Sequence, residues 1–196
     1  MTLIHRRGLF VLGAAATGAL AMPNILWAQT RSVADTLAGD SRFKQFLDLI
    51  TRASMVEDFR QPGPLTVFAP IDQAFFGAPA NLIQDLTGRN MGGSENRNDV
   101  ERQRLSALIN YHVVPGTFLS TQLTGQEHRL KTLNGASLGI QTAGSSLQLQ
   151  NPAPAMQLGG FGAAGAQVSA VPAEVVQADI MASNGVIHAI SQVLWP

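Results

Sequence analysis

The apolar residues of this chain change their spacing near Gly116, and that change constrains the fold more than any other feature. Before it they recur every three to four residues. Phe43, Phe46, Leu47 and Ile50 fall at i, i+3, i+4 and i+7, one face of a helix, and Asp40 or Ser41 is placed to cap it. Leu37 belongs to a short helix before it, and residues 55–59 predict a short helix after it. Val100, Leu105, Leu108 and Ile109 cluster on a longer helix with Asp99 as its cap. Between these lie a strand signal, "LTVFAP" closed by Pro70, then a helical turn that Asp72 can cap and a short helix in "NLIQDL". Beyond Gly116 the spacing drops to two. Alternating pieces at 127–133, 137–141, 146–150, 168–171, 175–181 and 186–194 are separated by "LNGAS", "TAGSS" and "SNG". Helices first and strands second define an α+β chain. No internal repeat divides it, so 32–196 is expected to be one domain.

Two stretches fit neither spacing. Residues 87–99 are polar and rich in Gly and Asn, which predicts an exposed loop. Residues 151–167, "NPAPAMQLGGFGAAGAQ", carry no charge and are rich in Pro, Gly and Ala. They predict a long loop in which Met156 and Phe161 have apolar reach.

The chain has no cysteine, so disulfides, zinc–thiolate sites, iron–sulfur clusters and thiol nucleophiles are excluded. Its stability must come from a core. The formal net charge is zero and only 13% of residues are charged, with no run of Lys or Arg. That is not the basic face of a nucleic-acid binder, nor a polybasic membrane patch.

Residues 1–28 read as an export leader. A short basic start precedes an Ala-rich apolar run too short for a stop-transfer helix. Arg6-Arg7 followed by Gly8-Leu9-Phe10 resembles a twin-arginine signal, with His5 where a serine usually stands. Cleavage is expected after Ala28, with Ala21 the alternative. A twin-arginine signal implies a prokaryote and a protein exported already folded, into the periplasm or beyond. Losing Arg6 and Arg7 leaves 11 basic against 13 acidic side chains, a charge of about −2.

Chemistry-bearing residues are few. His112 follows Tyr111, the only tyrosine, in "YHVVPG", and His188 sits in "NGVIHAI". Imidazoles suit metal or acid–base work near neutral pH, yet a metal site needs at least three protein ligands. The expected mature chain offers only His112, His128 and His188, without HxH or HExxH spacing. Asp72 or Asp179 could complete a set, but nothing demands it. The reading carried forward has both histidines buried in strand-like runs, hydrogen-bonded to a carbonyl or to Asp72 and Asp179. No G-x-S-x-G or phosphate-binding glycine loop occurs in its required context. Asn184-Gly185 reads as a two-residue hairpin turn.

Three stretches, "TVFAPIDQAF", "YHVVPG" and "ADIMASNGVIHAISQVLWP", together resemble the fasciclin family, also called FAS1 domains. The resemblance spans about 32–196. It implies a wedge of two β-sheets packed with several short helices, and adhesion or protein contact rather than catalysis, with no cofactor. In animal members the residue types of Tyr111-His112 and of Asp179-Ile180 are associated with integrin binding. Here Asp179 can equally bond a turn while Ile180 joins the core. Ser191 stands where the family usually has an acidic residue. The expected partner is a protein or glycan of the envelope, the matrix or a cell surface. The alternative is a small-ligand carrier whose apolar pocket lies under 151–167, roofed by Met156 and Phe161.

Overall fold

The computed structural model describes residues 31–76, 97–144, 146–150 and 172–195. The predicted strand at 168–171, the helix in "NLIQDL", and Met156 and Phe161 lie outside these described residues.

Helices α1 (Val33–Gly39) and α2 (Lys44–Arg52) are separated by a 3-10 turn, Ser41–Phe43, capped by Asp40 through the backbone N–H of Arg42. That tighter turn shifts the phase of the apolar face, because it advances three residues per turn and not 3.6. Phe43, Phe46, Leu49 and Ile50 are therefore the buried set, and Leu47 is only half-buried. Residues 55–59 do not form the expected helix. Ser54 ends α2 in a left-handed conformation (φ 61°), and isolated turns follow, with Asp58 N–H bonded to the Met55 carbonyl.

Strand β1 (Leu65–Pro70) runs into a second 3-10 turn, Asp72–Phe75. Helix α3 (Arg97–Tyr111) starts before Asp99 and takes in Tyr111, so strand β2 is only Val113–Pro115. On α3 the residues Leu105, Leu108 and Ile109 are buried, whereas Val100 is exposed. Five residues before Leu105, it lies about 140° round the helix. A one-turn helix α4 (Ser120–Leu123) leads to β3 (His128–Lys131), β4 (Ser137–Ala143), β5 (Ser146–Gln150), β6 (Ala173–Ala182) and β7 (Gly185–Ile190).

The strands hydrogen-bond in the order β2-β1-β7-β6-β5-β4-β3. All pairs are antiparallel except β1–β7, which is parallel from Leu65↔Gly185 to Pro70↔Ile190. Two ladders meet in β6. Its first residues, Ala173 and Glu174, pair with β5, and the rest pairs with β7 across two register breaks. Ser191 extends this junction, its hydroxyl accepting from Glu174 N–H (3.0 Å).

The β6–β7 turn is Ser183-Asn184, one residue earlier than the Asn-Gly signal, because Gly185 already pairs with Ala182. Two contacts fix that register. A Cβ on Gly185 would lie 2.1 Å from the Leu65 carbonyl oxygen, so only glycine lets β7 lie against β1. The buried Asn184 side chain accepts from Val33 N–H (2.8 Å) and donates to the Phe59 and Gln61 carbonyls (2.9 and 2.8 Å). It thereby satisfies a free N–H at the start of α1.

The β1–β7 pair divides the interior in two. Val67, Ala69, Ile187 and Ala189 face a first core with Phe43, Phe46, Ile50, Leu105 and Ile109 from the helices. Phe68 and Ile190 face a second core with Tyr111, Leu123, Leu138, Ile140 and Leu149. Strand alternation does this: neighbouring residues on β1 and β7 serve opposite sides.

Candidate functional site

His112 sits between α3 and β2, fully buried, and packs on Phe46 with ring centroids 5.5 Å apart. Its Nδ1 lies 2.8 Å from the Leu108 carbonyl, and its Nε2 accepts from Leu194 N–H at 3.0 Å. That accepting role puts the proton on Nδ1, which donates to Leu108. Burial disfavours the charged ring and pushes its pKa down to about 4, against an opposing pull from the Leu108 carbonyl.

His188 faces the second core from β7 and stacks on Phe68, centroids 5.4 Å apart and 24° between planes. Its Nδ1 accepts from Asp179 N–H (3.3 Å), so Nε2–H donates to the Phe118 carbonyl (2.9 Å). Its pKa is lowered, by burial first, while the Phe118 carbonyl and the Asp179 carboxylate act the other way. The expected partners are thus half right. Asp179 does meet His188, but through its backbone. Asp72 meets neither histidine; its carboxylate accepts from Gln45 N–H (2.9 Å) in the first turn of α2, where a free N–H needs an acceptor.

The Asp179 carboxylate is engaged elsewhere. It accepts from Ser120 N–H (2.8 Å) and from the Ser120 hydroxyl. Asp179 itself has φ 58°, one of two non-glycine residues among the described residues in the left-handed region. Asp179 and Ile180 are half-buried, and Ile180 leans on the first core. Tyr111 is fully buried in the second core, and desolvation pushes its phenol up to about 12. The structure therefore gathers Asp179 and Ile180 at the surface of β6 and encloses Tyr111 and His112.

An open cleft of about 480 Å³ lies between the 60–64 segment and the β6–β7 turn, lined by Arg60, Pro62, Pro64, Thr117, Met181 and Ser183 among others. Met181 and Val176 are exposed on β6. Three residues that sequence reading passed over organise this region. Thr66 donates to the Gly116 carbonyl (2.7 Å) and accepts from Phe118 N–H (2.9 Å), pinning the chain after β2 to β1. A threonine inside an apolar strand was the available signal. Ser120 and Phe118 carried none, since their partners lie 59 and 70 residues away. Among the described residues no three His, Asp or Glu side chains come together as metal ligands, and no helix is long and apolar enough to cross a membrane.

A seven-strand order joined through one bulged strand and packed with helices is the α+β architecture that the three motifs imply. The Fasciclin domain model matches residues 41–196, and the chain belongs to that family. Protein sll1483 of Synechocystis is 30% identical over 165 residues, covering 84% of this chain and 73% of that protein. Transforming growth factor-beta-induced protein ig-h3 of Sus scrofa is 30% identical over 175 residues, which is 89% of this chain but only 21% of that longer protein. Among solved structures, a FAS1 domain pair from the insect cell adhesion molecule fasciclin I matches 78% of this chain and 45% of that one, at 18% identity and a TM-score of 0.49.

Proposed function

We propose that this chain is an exported, non-catalytic contact module that binds a protein or glycan of the envelope, the matrix or a neighbouring cell, in the periplasm or outside the cell. Residues 1–28 are its leader and 32–196 its single FAS1 domain. The observation that carries this reading is how the chemistry-bearing side chains are used. Both ring nitrogens of His112 and of His188 are bonded to backbone groups. They complete the frame and are not free to move protons for a substrate. On β6, two residues beyond Asp179, Met181 is exposed and lines the cleft. An apolar side chain next to polar groups on a sheet surface suits a contact patch.

The test is quantitative capture. The mature protein is immobilised against an envelope extract of the source organism, next to a Met181→Glu variant of equal stability. A partner retained at least about tenfold better by the parent, a difference of about 1.4 kcal/mol, supports the module. Equal capture by both overturns the assignment of the patch. A small molecule retained in native mass spectrometry would point to a carrier instead. Changing Arg6 and Arg7 to lysine should block export; unchanged export would remove the twin-arginine assignment.

A further inference from the structure

Between the pairs Gln177↔Ala189 and Ile180↔Ile187, β6 has two residues, Ala178 and Asp179, where β7 has one, His188. This is a β-bulge, and a bulge leaves ladder groups unpaired. The His188 ring supplies the missing partner, since its Nδ1 accepts from Asp179 N–H. The same ring holds the Phe118 carbonyl, and Asp179 holds both donors of Ser120 at the start of α4. One imidazole thus ties β7, the bulge and α4 together.

We propose that His188 is a proton-operated latch: on taking up a proton it detaches the Asp179 bulge from β7 and releases α4, changing the surface that Asp179 and Ser120 present while the rest of the fold stays closed. The chemistry is local. A proton on Nδ1 turns an acceptor into a donor, so it faces the Asp179 N–H donor and that bond is lost. The Nε2–H bond to Phe118 survives. Asp179 is held in a left-handed conformation that costs a non-glycine residue of order 1–2 kcal/mol, so losing the bond favours its relaxation. A second arrangement is at hand. The Asp179 carboxylate can leave Ser120 for the new imidazolium, exchanging two hydrogen bonds for one charge-assisted bond. Among the described residues Asp179 is the charged group that acts on the ring; β1 presents Phe68 and the segment after β2 presents the Phe118 carbonyl. The latch stands whether or not the surface it reshapes meets a partner.

Amide hydrogen exchange followed by NMR between pH 7.5 and 5 tests it. The opening constants of the Asp179 and Ser120 amides should rise by about tenfold per pH unit below the ordinary histidine pKa, as one linked proton requires. The Val67 and Ile187 amides should keep their protection. In His188→Gln the side-chain amide can serve both partners without titrating, and opening should be flat with pH. In Asp179→Asn the dependence should persist, because the titrating ring remains. Flat opening in the parent, equal loss at Val67 and Ile187, or the same slope in His188→Gln overturns the latch. If His188→Gln does not fold, the parent's own ring titration decides: local opening that does not follow protonation of His188 overturns the proposal.

Discussion

On the helical side of β1 and β7, His112 is held by Leu108 in the last turn of α3 and by Leu194 near the end of the chain. On the sheet side, His188 is held by a bulge in β6 and by the segment after β2. Both rings do the same physical task. The His112 backbone N–H turns to Ile109 and leaves the Leu108 carbonyl without its helical donor, and the ring provides one. The bulge leaves Asp179 N–H without a ladder acceptor, and the other ring provides that. The difference lies in what each completes. His112 closes the end of a helix inside a packed core. His188, itself buried, closes an irregularity in a half-buried bulge, where a second arrangement is within reach. Similar chemistry makes one region rigid and the other adjustable.

The comparison collapses if β7 cannot lie against β1, because β7 feeds both sides. Gly185→Ala places a Cβ 2.1 Å from the Leu65 carbonyl oxygen and 2.9 Å from its carbonyl carbon, backbone atoms that cannot swing aside. The pair must separate, at a cost of at least about 3 kcal/mol. Urea unfolding followed by Trp195 fluorescence should show a large fall in midpoint. A change under about 1 kcal/mol would mean that the two strands are not in this register.

Removing the rings one at a time separates the two sides. His112→Ala leaves a buried carbonyl and a buried N–H unpaired and should lose about 2–3 kcal/mol. His188→Ala, beside a half-buried bulge that water can reach, should lose about 1–2 kcal/mol. The reverse order would contradict the rigid and adjustable assignments. Acid titration sharpens the same point. Each ring is harder to protonate in the fold than in the unfolded chain, so the unfolded chain binds protons first as pH falls. The stabilisation is complete above about pH 6.5 and shrinks below it; for His112, whose folded pKa is about 4, the loss by pH 4 is about 3 kcal/mol. His112→Gln should flatten most of that slope.

How far the sequence foretold these features depended on how local their causes are. The α+β layout was legible because a change of period from helix to strand is written in neighbouring residues. The buried state of both histidines was legible from their apolar surroundings. That each would bond a backbone carbonyl was legible too, but which carbonyl, and that Asp72 meets neither ring, was not. The Leu47-to-Leu49 shift came from a 3-10 turn, whose phase no 3.6-residue count foresees. The hairpin moved by one residue because Asn184 is engaged with Val33 and Phe59, 151 and 125 positions away. The bulge at Asp179 has no spacing signature at all, since only the register against β7 reveals it.

The smallest expected effect concerns the contact between α2 and α3, on the rigid side. Arg52 on α2 pairs with Glu101 on α3, and its side chain is 31% exposed against 19% for Glu101. An ion pair this close to solvent returns little, because water screens it and two long side chains must be held still. Apolar contacts of Phe46, Leu49 and Ile50 with Leu105 and Ile109 already join the helices to one core. Glu101→Gln keeps the size of the side chain and removes only its charge, so it should cost less than about 1 kcal/mol, and less still at high salt. Urea midpoints at low and at 1 M salt would measure this. A loss above about 2 kcal/mol that persists in salt would mean that the pair behaves as a buried one. The helical side would then owe its rigidity to charge as well as to packing, and the contrast with the His188 side would have to be redrawn around that pair.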